Sequence, residues 1–228
     1  CSFRLFIGEK PILPQTIEDI STKATYEELK EAFVDEWGVK YSKDGRKLLK
    51  ATQKLNGTYS IKEGVMIICD KAFQFCSSLT DIVIPDGVTS IGDMTFYRCS
   101  SLTSFVIPDS VTSIGDRAFC GCESLTNIAI PDGVTSIGDY AFSGCYSLTD
   151  IVIPDSVTSI GAWTFCGCES LTGIVIPDSV TSIGTWTFCG CSSLKYISIP
   201  KSVICLNGNP FFNWYGKLDS LSPYFIYD

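Results

Sequence analysis

A 23-residue phrase repeats along this 228-residue chain, and its period limits the possible fold more than any other feature. Residues 76–98 read CSSLTDIVIPDGVTSIGDMTFYR, and residues 99–121 read CSSLTSFVIPDSVTSIGDRAFCG, with no insertion or deletion between them. A period between about 20 and 50 residues indicates a solenoid, in which each unit is one turn stacked on its neighbours. The cysteines that head the copies are Cys76, Cys99, Cys122, Cys145, Cys168 and Cys191.

Apolar residues recur at fixed phases of the repeat, and polar residues fill the positions between them. One repeat buries too little apolar surface to offset the conformational entropy of ordering its residues, so it cannot fold alone. Stacking supplies the missing stabilisation, because the backbone of each coil pairs with the next coil and the buried side chains form ladders. In the first copy, the residues expected to face inward are Cys76, Leu79, Ile82, Ile84, Val88, Ile91 and Phe96.

The local composition of the repeat predicts two short extended segments in each coil. The β-branched run LTDIVIP predicts a strand that ends at Pro85, because proline cannot donate a ladder hydrogen bond. The run VTSIG predicts a second extended segment, and the recurring Gly92 indicates either a positive φ or a close backbone approach. Residues 93–97 have room for one helical turn at most, of the 3₁₀ type.

The pattern C-x-S-L-x-x-I-x-I-P-x-x-V-x-x-I-G-x-x-x-F resembles the BspA-like leucine-rich repeats of bacterial surface proteins. The resemblance covers residues 76–203, and residues 53–75 form a degenerate copy in the same phase. It implies a leucine-rich-repeat, right-handed superhelix with short parallel strands. It also implies a cell-surface or secreted location and a role in adhesion to host matrix proteins or to other cells.

Charge is distributed unevenly between the start of the chain and the repeats. Residues 1–75 hold 12 Lys and Arg against 11 Asp and Glu, whereas residues 76–228 hold 5 against 14. The acidic repeats argue against a nucleic-acid partner, which calls for clustered Lys and Arg. A basic partner, a divalent cation or simply a solvated acidic surface is compatible with this charge.

Six of the twelve cysteines head the repeats, where the stack accounts for them as small buried hydrophobic residues. Cys120, Cys166 and Cys189 each precede one of them in a C-G-C triplet. Zinc sites usually space paired thiolates as C-x₂₋₄-C, and the chain contains no histidine, so no metal or other cofactor is predicted. The triplet cysteines are expected to be free thiols, with a disulfide between Cys166 and Cys189 as the alternative.

The first 52 residues lack the repeat. Because an open solenoid end exposes apolar side chains and strand edges, these residues are predicted to form an N-terminal cap, which consists of a helix and a β-hairpin. The run TYEELKEAFVDEW begins with capping-box spacing at Thr25 and predicts a helix. Phe33 and Trp37 lie at helical spacing and are expected in the core of the cap. Asp44 and Gly45 predict the turn of the hairpin.

The remaining boundaries follow the repeat. Residues 53–205 are assigned to the solenoid, with regular repeats over 76–190 and a divergent repeat from 191. Residues 206–228 are either an aromatic C-terminal cap or the start of a continuing segment; their aromatic cluster is Phe212, Trp214, Tyr215, Tyr224, Phe225 and Tyr227. At the other end, Cys1 and the small residue after it resemble the acylated start of bacterial lipoproteins. Either Cys1 carries a lipid anchor, or the chain begins there at an arbitrary boundary.

One outward position, two residues before the conserved phenylalanine, differs between copies and becomes aromatic toward the C-terminal half. It is occupied by Met94, Arg117, Tyr140, Trp163 and Trp186. Because neighbouring coils stack about 4.8 Å apart, the last three are expected to form a continuous row, here called the aromatic strip. Such rings anchor protein partners or stack on sugars, or they only pack on one another and on the turn.

A second outward position lies between the two isoleucines of the strand and is mostly valine. This column, here called the valine ribbon, is Val83, Val106, Ala129, Val152, Val175 and Ser198. Threonines flank it in five copies, at Thr80, Thr103, Thr126, Thr149 and Thr172. A flat, uncharged ribbon of this kind suits a protein surface, but β-branched residues are also simply good strand formers.

The residues give little support to catalysis. Without histidine the chain cannot assemble a histidine-based triad. Its row of aspartates belongs to the repeat, so every member has the same environment, whereas a catalytic carboxylate pair needs two different environments. That row is Asp86, Asp109, Asp132, Asp155 and Asp178. The chain is therefore predicted not to be an enzyme.

Together these observations predict a repeat solenoid with a small α/β N-terminal cap and a non-enzymatic role in adhesion or protein interaction. The expected partner is an extracellular or surface protein of a host or a microbe. The predicted binding residues are Tyr140, Trp163, Trp186, Val83, Val106, Val152 and Val175. The alternatives are a glycan-binding module that uses the aromatic strip and a structural spacer that displays another domain.

Overall fold

Each repeat forms one coil of a β-solenoid of about seven turns, as the period and the resemblance predicted. The structure is a computed structural model that describes residues 21–203, 205–206, 208–211 and 217–220, with the backbone alone for 205–206 and 217–220. Two short strands per coil alternate along the chain, and both predicted extended segments are confirmed.

The described residues form one helix and eighteen strands. The helix is α1 (Tyr26–Glu31). The strands are β1 (Phe33–Val34), β2 (Lys40–Tyr41), β3 (Lys47–Lys50), β4 (Asn56–Ser60), β5 (Ile67–Ile68), β6 (Ser78–Val83), β7 (Ser90–Ile91), β8 (Ser104–Val106), β9 (Ser113–Ile114), β10 (Asn127–Ala129), β11 (Ser136–Ile137), β12 (Asp150–Val152), β13 (Ser159–Ile160), β14 (Gly173–Val175), β15 (Ser182–Ile183), β16 (Tyr196–Ser198), β17 (Cys205–Leu206) and β18 (Lys217–Ser220).

The two strands of each coil build separate rows of parallel sheet. The two-residue strands join the cap into one ten-stranded sheet, in the order β1-β2-β3-β5-β7-β9-β11-β13-β15-β17. The longer strands form three smaller sheets, β4-β6, β8-β10-β12 and β14-β16-β18. Within the regular repeats each residue pairs with its counterpart one repeat later, as Ile128 does with Ile151. Equivalent side chains are therefore neighbours all along the solenoid.

A spine of stacked phenylalanines runs through the core at the last inward phase of the repeat. Neighbouring rings have centroids 5.2–5.8 Å apart and planes within 14° of parallel. All seven rings are buried. The predicted phase is thus confirmed through the divergent last repeat. The spine consists of Phe73, Phe96, Phe119, Phe142, Phe165, Phe188 and Phe211.

The cysteines that head the repeats form a second buried ladder. The Cys145 thiol donates to the carbonyl oxygen of Phe119 at 3.3 Å, and four other copies make the same contact with a spine phenylalanine, whereas Cys76 donates to the Thr52 carbonyl oxygen. Burial raises the pKa of Cys76 to about 11 and the pKa of Cys191 to about 12. The position therefore needs a small, protonated side chain that fills apolar space and still donates a hydrogen bond.

An aspartate ladder explains the recurring glycine of the VTSIG segment. The Asp93 carboxylate accepts a hydrogen bond from the Asp116 backbone N–H at 2.9 Å, and the contact repeats along the ladder. A Cβ added at Gly115 would lie 2.6 Å from Asp93 Oδ1 and 2.7 Å from its backbone nitrogen. Glycine is thus required here by a close approach of the neighbouring coil and not by a positive φ. The ladder consists of Asp70, Asp93, Asp116 and Asp139.

The segment that follows this glycine is a series of turns, so the 3₁₀ turn expected over residues 93–97 does not form. Met94 has a φ of 53° and Arg98 a φ of 57°, both in the left-handed region. The Met94 N–H donates to the Asp116 carbonyl oxygen, and the Arg98 N–H donates to the Cys120 carbonyl oxygen. The Tyr97 N–H donates to the Met94 carbonyl oxygen within the segment, so the turns bond both within themselves and to the next coil.

The cap helix begins as predicted but ends early. Thr25 and Glu28 form both hydrogen bonds of a capping box. The helix ends at Glu31, so the prediction that it extends to Trp37 is wrong. Asp35 accounts for the difference, because its carboxylate accepts from the backbone N–H groups of Trp37 and Val39 and closes a turn that competes with the helix.

The strand that replaces the last helical turn also changes the position of two aromatic residues. Phe33 and Trp37 are 38% and 54% exposed, so neither is the core residue that helical spacing predicted. Phe33 stacks on Tyr41 with centroids 5.1 Å apart, and the Lys62 ammonium lies 4.7 Å from the Phe33 ring centroid. The helical period was thus the wrong template for this segment.

The cap continues directly into the solenoid. Strands β2 and β3 are antiparallel, and the turn between them contains Gly45 with a φ of 76°. Strand β3 then pairs in parallel with β5, which belongs to the degenerate repeat. The predicted hairpin is therefore also the first part of the long sheet. Cys1 and the C-terminal aromatic cluster lie outside the described residues.

Replacing Asp93 with asparagine is expected to stabilise the protein at pH 7. Burial, followed by the negative charges of Asp70 and Asp116, raises the pKa of Asp93 above its ordinary value of 3.8, and this outweighs the lowering by the Asp116 N–H. The folded state then holds this proton to a higher pH than the unfolded state does. The stability that Asp93 contributes is therefore greatest below pH 3.8 and falls as the pH rises through the raised pKa.

Thermal unfolding of the wild type, Asp93→Asn and Asp93→Ala near pH 3.5 and pH 7 measures this effect. Asparagine keeps the Oδ1 acceptor without the charge, so its midpoint should be higher at pH 7 and less dependent on pH. Alanine loses the hydrogen bond from Asp116 and should lose about 1 kcal/mol. An asparagine variant less stable than the wild type at pH 7 would contradict this account.

Alkylation followed by mass spectrometry tests the cysteine ladder. In the folded protein the buried ladder thiols should resist iodoacetamide, because they are protonated and inaccessible. Cys120 and Cys189 are half-buried and should react first. In denaturant without reductant all twelve cysteines should react, and a count clearly below twelve would show that some of the thiols are oxidised.

Candidate functional site

The valine ribbon lies on the outward face of the longer strands, where the sequence placed it. Val106 is 77% exposed, and the other three valines are 53–66% exposed. Val106, Ala129 and Val152 are register partners across β8, β10 and β12, and Val175 pairs with Ser198 across β14 and β16. The ribbon is thus a column of exposed apolar side chains along the solenoid, with a dent at Ala129.

The threonines beside the ribbon are committed to contacts between coils. The Thr126 hydroxyl donates to the Thr103 carbonyl oxygen at 3.2 Å, and the Thr149 hydroxyl donates to the Thr126 carbonyl oxygen at 3.2 Å. Their backbone N–H groups bond to the same carbonyl oxygens. The threonine column therefore holds neighbouring coils together, and the valines remain as the unpaired apolar groups of this face.

Tyr196 extends the ribbon toward the C-terminal end, which the sequence did not predict. It pairs with Gly173 across β14 and β16, and a Cβ added at Gly173 would lie 2.2 Å from the Tyr196 ring. The ring thus covers the bare glycine and is itself 47% exposed. The sequence signal that could have predicted this contact is a glycine inside a strand with an aromatic residue at the same position one repeat later.

The aromatic strip forms as a stack, and its geometry limits what it can bind. The Tyr140 and Trp163 centroids are 5.6 Å apart with planes at 7°, and those of Trp163 and Trp186 are 4.8 Å apart with planes at 9°. The Arg117 guanidinium lies 4.5 Å from the Tyr140 centroid. Tyr140 and Trp186 cover the two faces of Trp163, and Trp163 and Arg117 cover the two faces of Tyr140. Trp163 and Tyr140 therefore present edges rather than faces.

Every strip position has a left-handed backbone. The φ values of Tyr140, Trp163 and Trp186 are 57–59°, and the earlier members of the same column, such as Lys71 at 58°, share the conformation. The backbone N–H of each of these residues donates to the next coil. Because this conformation costs an L-residue about 1–2 kcal/mol, the ring contacts offset a backbone cost that glycine would avoid.

The C-G-C cysteines lie in a half-buried column and remain thiols. Burial, followed by the neighbouring Cys189, raises the pKa of Cys166 to about 12. The structure thus has both residues as thiols, and the disulfide between them stays the alternative that the alkylation count tests. The described residues contain no group of three or more His, Cys, Asp and Glu side chains placed to hold a metal ion.

The aspartate row considered for catalysis is exposed in all five copies. Its members occupy equivalent positions of successive coils, so the described part of the chain offers no contrasting carboxylate environments there. Within the same residues, no helix has the length and apolar character needed to cross a membrane.

A pair of glycine substitutions measures what stacking contributes to the strip. Lys71→Gly and Trp163→Gly make the same backbone change in the same column, and only Trp163 stacks on two rings. Lys71→Gly should leave stability nearly unchanged, because relief of the left-handed cost is balanced by a more flexible unfolded chain. Trp163→Gly should be less stable than Lys71→Gly by about 2 kcal/mol in chemical denaturation. Equal stabilities would mean that the stack contributes nothing.

Comparison with known proteins identifies the architecture. The family model for the BspA type leucine rich repeat region matches residues 50–172 and 112–222, with six copies. A search of curated proteins gives no match.

Solved structures of bacterial leucine-rich repeat proteins are similar to this chain. One from Bacteroides ovatus is 32% identical with a TM-score of 0.68, over 84% of this chain and 49% of that protein. One from Eubacterium ventriosum is 27% identical with a TM-score of 0.70, over 77% of this chain and 48% of that protein. A T. pallidum leucine-rich repeat protein is 26% identical with a TM-score of 0.54, over 79% of this chain and 73% of that protein.

The chain spans about half the length of the first two of these proteins. The family match covers more than half of this chain and coincides with the coils that the structure describes. This chain therefore belongs to the BspA-type leucine-rich repeat family.

Proposed function

We propose that this chain is a non-enzymatic adhesion module that binds an extracellular or surface protein of a host or a microbe through the valine ribbon. The observation that carries the proposal is the row of four valines, each more than half exposed, on a regular strand face. Leucine-rich repeat scaffolds of this family are suited to protein interaction, and the repeated coil supplies a long, rigid surface for it.

The chemistry of the ribbon favours a protein partner. Exposed apolar side chains that adjoin along a surface are typical of interaction sites, whereas scattered ones need no explanation. The hydroxyl groups of the threonines beside the valines already donate hydrogen bonds to neighbouring coils. Burial of the valines against a partner would remove apolar area from water without leaving these hydroxyl groups unpaired.

Charge favours a partner that is basic around an apolar centre. Residues 76–228 carry 14 acidic against 5 basic residues. Asp150 lies on the same strand as Val152 and is exposed. Acidic groups at the rim of an apolar strip steer a basic partner and weaken its binding as salt rises. The same charge argues against nucleic acid as a partner.

The stacked geometry gives the glycan alternative at the aromatic strip less support than the protein-binding proposal. Sugars stack on exposed ring faces, but the Trp163 faces are occupied by Tyr140 and Trp186. The edges of the strip offer a further apolar surface to a protein. Tyr140, Trp163 and Trp186 are therefore kept as proposed protein contacts secondary to the ribbon.

A location at the cell surface or in the secreted fraction is part of this proposal and rests on the family. A lipid anchor at Cys1 would add a membrane attachment to it, and that residue lies outside the described part of the chain. A spacer that displays another domain is the remaining alternative, since the chain spans about half the length of the Bacteroides ovatus and Eubacterium ventriosum proteins.

The ribbon is tested with Val106→Thr/Val152→Thr against a panel of extracellular-matrix and bacterial surface proteins at physiological salt. Threonine keeps the β-branched shape that suits a strand and puts a hydroxyl group into the apolar contact. The double variant should bind about tenfold more weakly, a loss of about 1.4 kcal/mol, with an unchanged thermal midpoint. Surface plasmon resonance measures the affinity.

Glu169→Gln is the control, because Glu169 is exposed on a turn outside the ribbon, and it should bind as the wild type does. Trp163→Ala/Trp186→Ala reports any contribution of the strip. Full affinity in the valine variant would exclude the ribbon as the contact. Absence of binding to every protein on the panel would favour the spacer.

A further inference from the structure

A groove of about 510 Å³ opens on the turns that follow the phenylalanine spine, away from the ribbon and the strip. It extends from the end of the degenerate repeat across the first three regular coils to the start of the fourth. Its lining includes Phe75, Arg98, Gly121, Glu123, Gly144 and Tyr146. None of these residues belongs to the surfaces proposed above for protein binding, so the groove is a separate feature of the molecule.

Departures from the repeat build this groove. The column two residues after each spine phenylalanine is left-handed throughout, with φ between 57° and 76°. In four coils glycine occupies it, at Gly121, Gly144, Gly167 and Gly190, but in the first two coils it holds Phe75 and Arg98. Backbone of successive coils packs closely at the glycines, since a Cβ added at Gly144 would lie 3.7 Å from the Gly121 Cα. The glycines thus form a low floor beside a raised wall.

The groove holds one of the few basic side chains of the repeats. Between residues 76 and 194 the sequence has only two basic residues, Arg98 and Arg117. Both guanidinium groups act on the Cys120 thiol, whose pKa is raised by burial and lowered in part by these charges. Arg117 is held against Tyr140. Arg98 is exposed and makes its ring contact with Tyr97 at 5.5 Å, so it is the arginine that faces the groove.

The aromatic residues of the groove differ from the strip in what they present. Phe75 meets Tyr97 at 84°, with centroids 5.5 Å apart, and is 39% exposed. Tyr146 lies beside the glycine floor, 3.7 Å from a Cβ added at Gly167, and is 46% exposed. Two perpendicular rings leave exposed a part of the ring faces that a parallel stack would cover. The groove therefore has an exposed aromatic residue near each end.

We propose that this groove binds a sugar that carries a carboxylate, such as a uronic acid at the end of an oligosaccharide. Arg98 pairs with the carboxylate, and the exposed rings of Phe75 and Tyr146 pack against the apolar faces of the sugar. The hydroxyl groups of Ser77 and Ser100 line the groove as donors and acceptors for sugar hydroxyl groups.

The single carboxylate in the lining narrows the choice of ligand. Glu123 accepts hydrogen bonds from hydroxyl groups and repels a second negative charge, so a ligand with one carboxylate and several hydroxyl groups fits better than a polyanion. A peptide rich in Asp and Glu would also pair with Arg98, but Glu123 would repel its further carboxylates. The volume suits one or two sugar units, within the range of ordinary ligand sites.

The repeat itself supplies variants that remove the side chains and keep the backbone. Arg98→Gly and Phe75→Gly place at each position the residue that four later coils already carry there. Lys71→Gly is the matched control, because it removes one positive charge from another left-handed position outside the groove. All three should retain the wild-type fold by circular dichroism, since glycine favours the local conformation.

Isothermal titration calorimetry of the full chain with a glucuronic-acid-terminated trisaccharide, beside the same trisaccharide ending in glucose, tests the proposal. The acidic sugar should bind saturably, and the neutral sugar should bind at least tenfold more weakly. Arg98→Gly should weaken binding of the acidic sugar at least tenfold and Phe75→Gly several-fold, whereas Lys71→Gly should match the wild type. Binding should also weaken with added salt.

Three results would overturn the proposal: no saturable binding of the acidic sugar, equal affinity for both sugars, or equal loss in Arg98→Gly and Lys71→Gly. Binding of an Asp- and Glu-rich peptide through Arg98, with none of the sugar, would reject the sugar and assign the groove to peptides. Val106→Thr/Val152→Thr should bind the acidic sugar normally, so failure of the ribbon and failure of the groove can be told apart.

Discussion

The stacking of coils in register is the constraint on which the rest of this structure depends. Each residue of the regular repeats lies beside the residue one period away, as Ile128 lies beside Ile151, so its main neighbour is usually a copy of itself. Phenylalanine, cysteine and threonine can each lie beside a copy of themselves, because the rings stack and the thiol and hydroxyl groups donate to backbone carbonyl oxygens of the neighbouring coil. Aspartate repels its own kind and persists in the ladder because Oδ1 accepts a backbone N–H.

The backbone adds a second constraint, because two positions in each coil must be left-handed. Glycine meets this demand at one of them in four coils. The strip column never uses glycine in the described coils, although every residue there has a positive φ. Side chains at such positions must offset a cost of about 1–2 kcal/mol, which stacking does for Trp163 and a perpendicular ring contact does for Phe75. The left-handed positions that carry a side chain other than glycine are therefore the places where the surface differs chemically from the regular repeat.

The inward ladders could be predicted from the sequence, because a fixed period and apolar phases determine which side chains meet. The cap helix could not, because the carboxylate of Asp35 closes a turn that helical spacing does not reveal. The strip was foreseen as a row of rings, but spacing alone does not say whether faces or edges are exposed. Tyr196 over Gly173 and the groove at Arg98 depend on contacts between coils, so they appear only when the register is known.

A surface made of copies specifies the position of a partner poorly. A partner that contacts Val152 and Val175 would meet Ala129 and Val152, or Val175 and Ser198, after a move of one coil, so part of the apolar contact would remain. The irregular members limit this freedom: Ala129 makes a dent between two valines, and Tyr196 places a large ring beside Ser198, the last member of the column. If the ribbon binds a partner as proposed, an apolar group that fills the dent would have one register in which the partner also reaches Tyr196. The exceptions in the repeat would then determine the position of the partner.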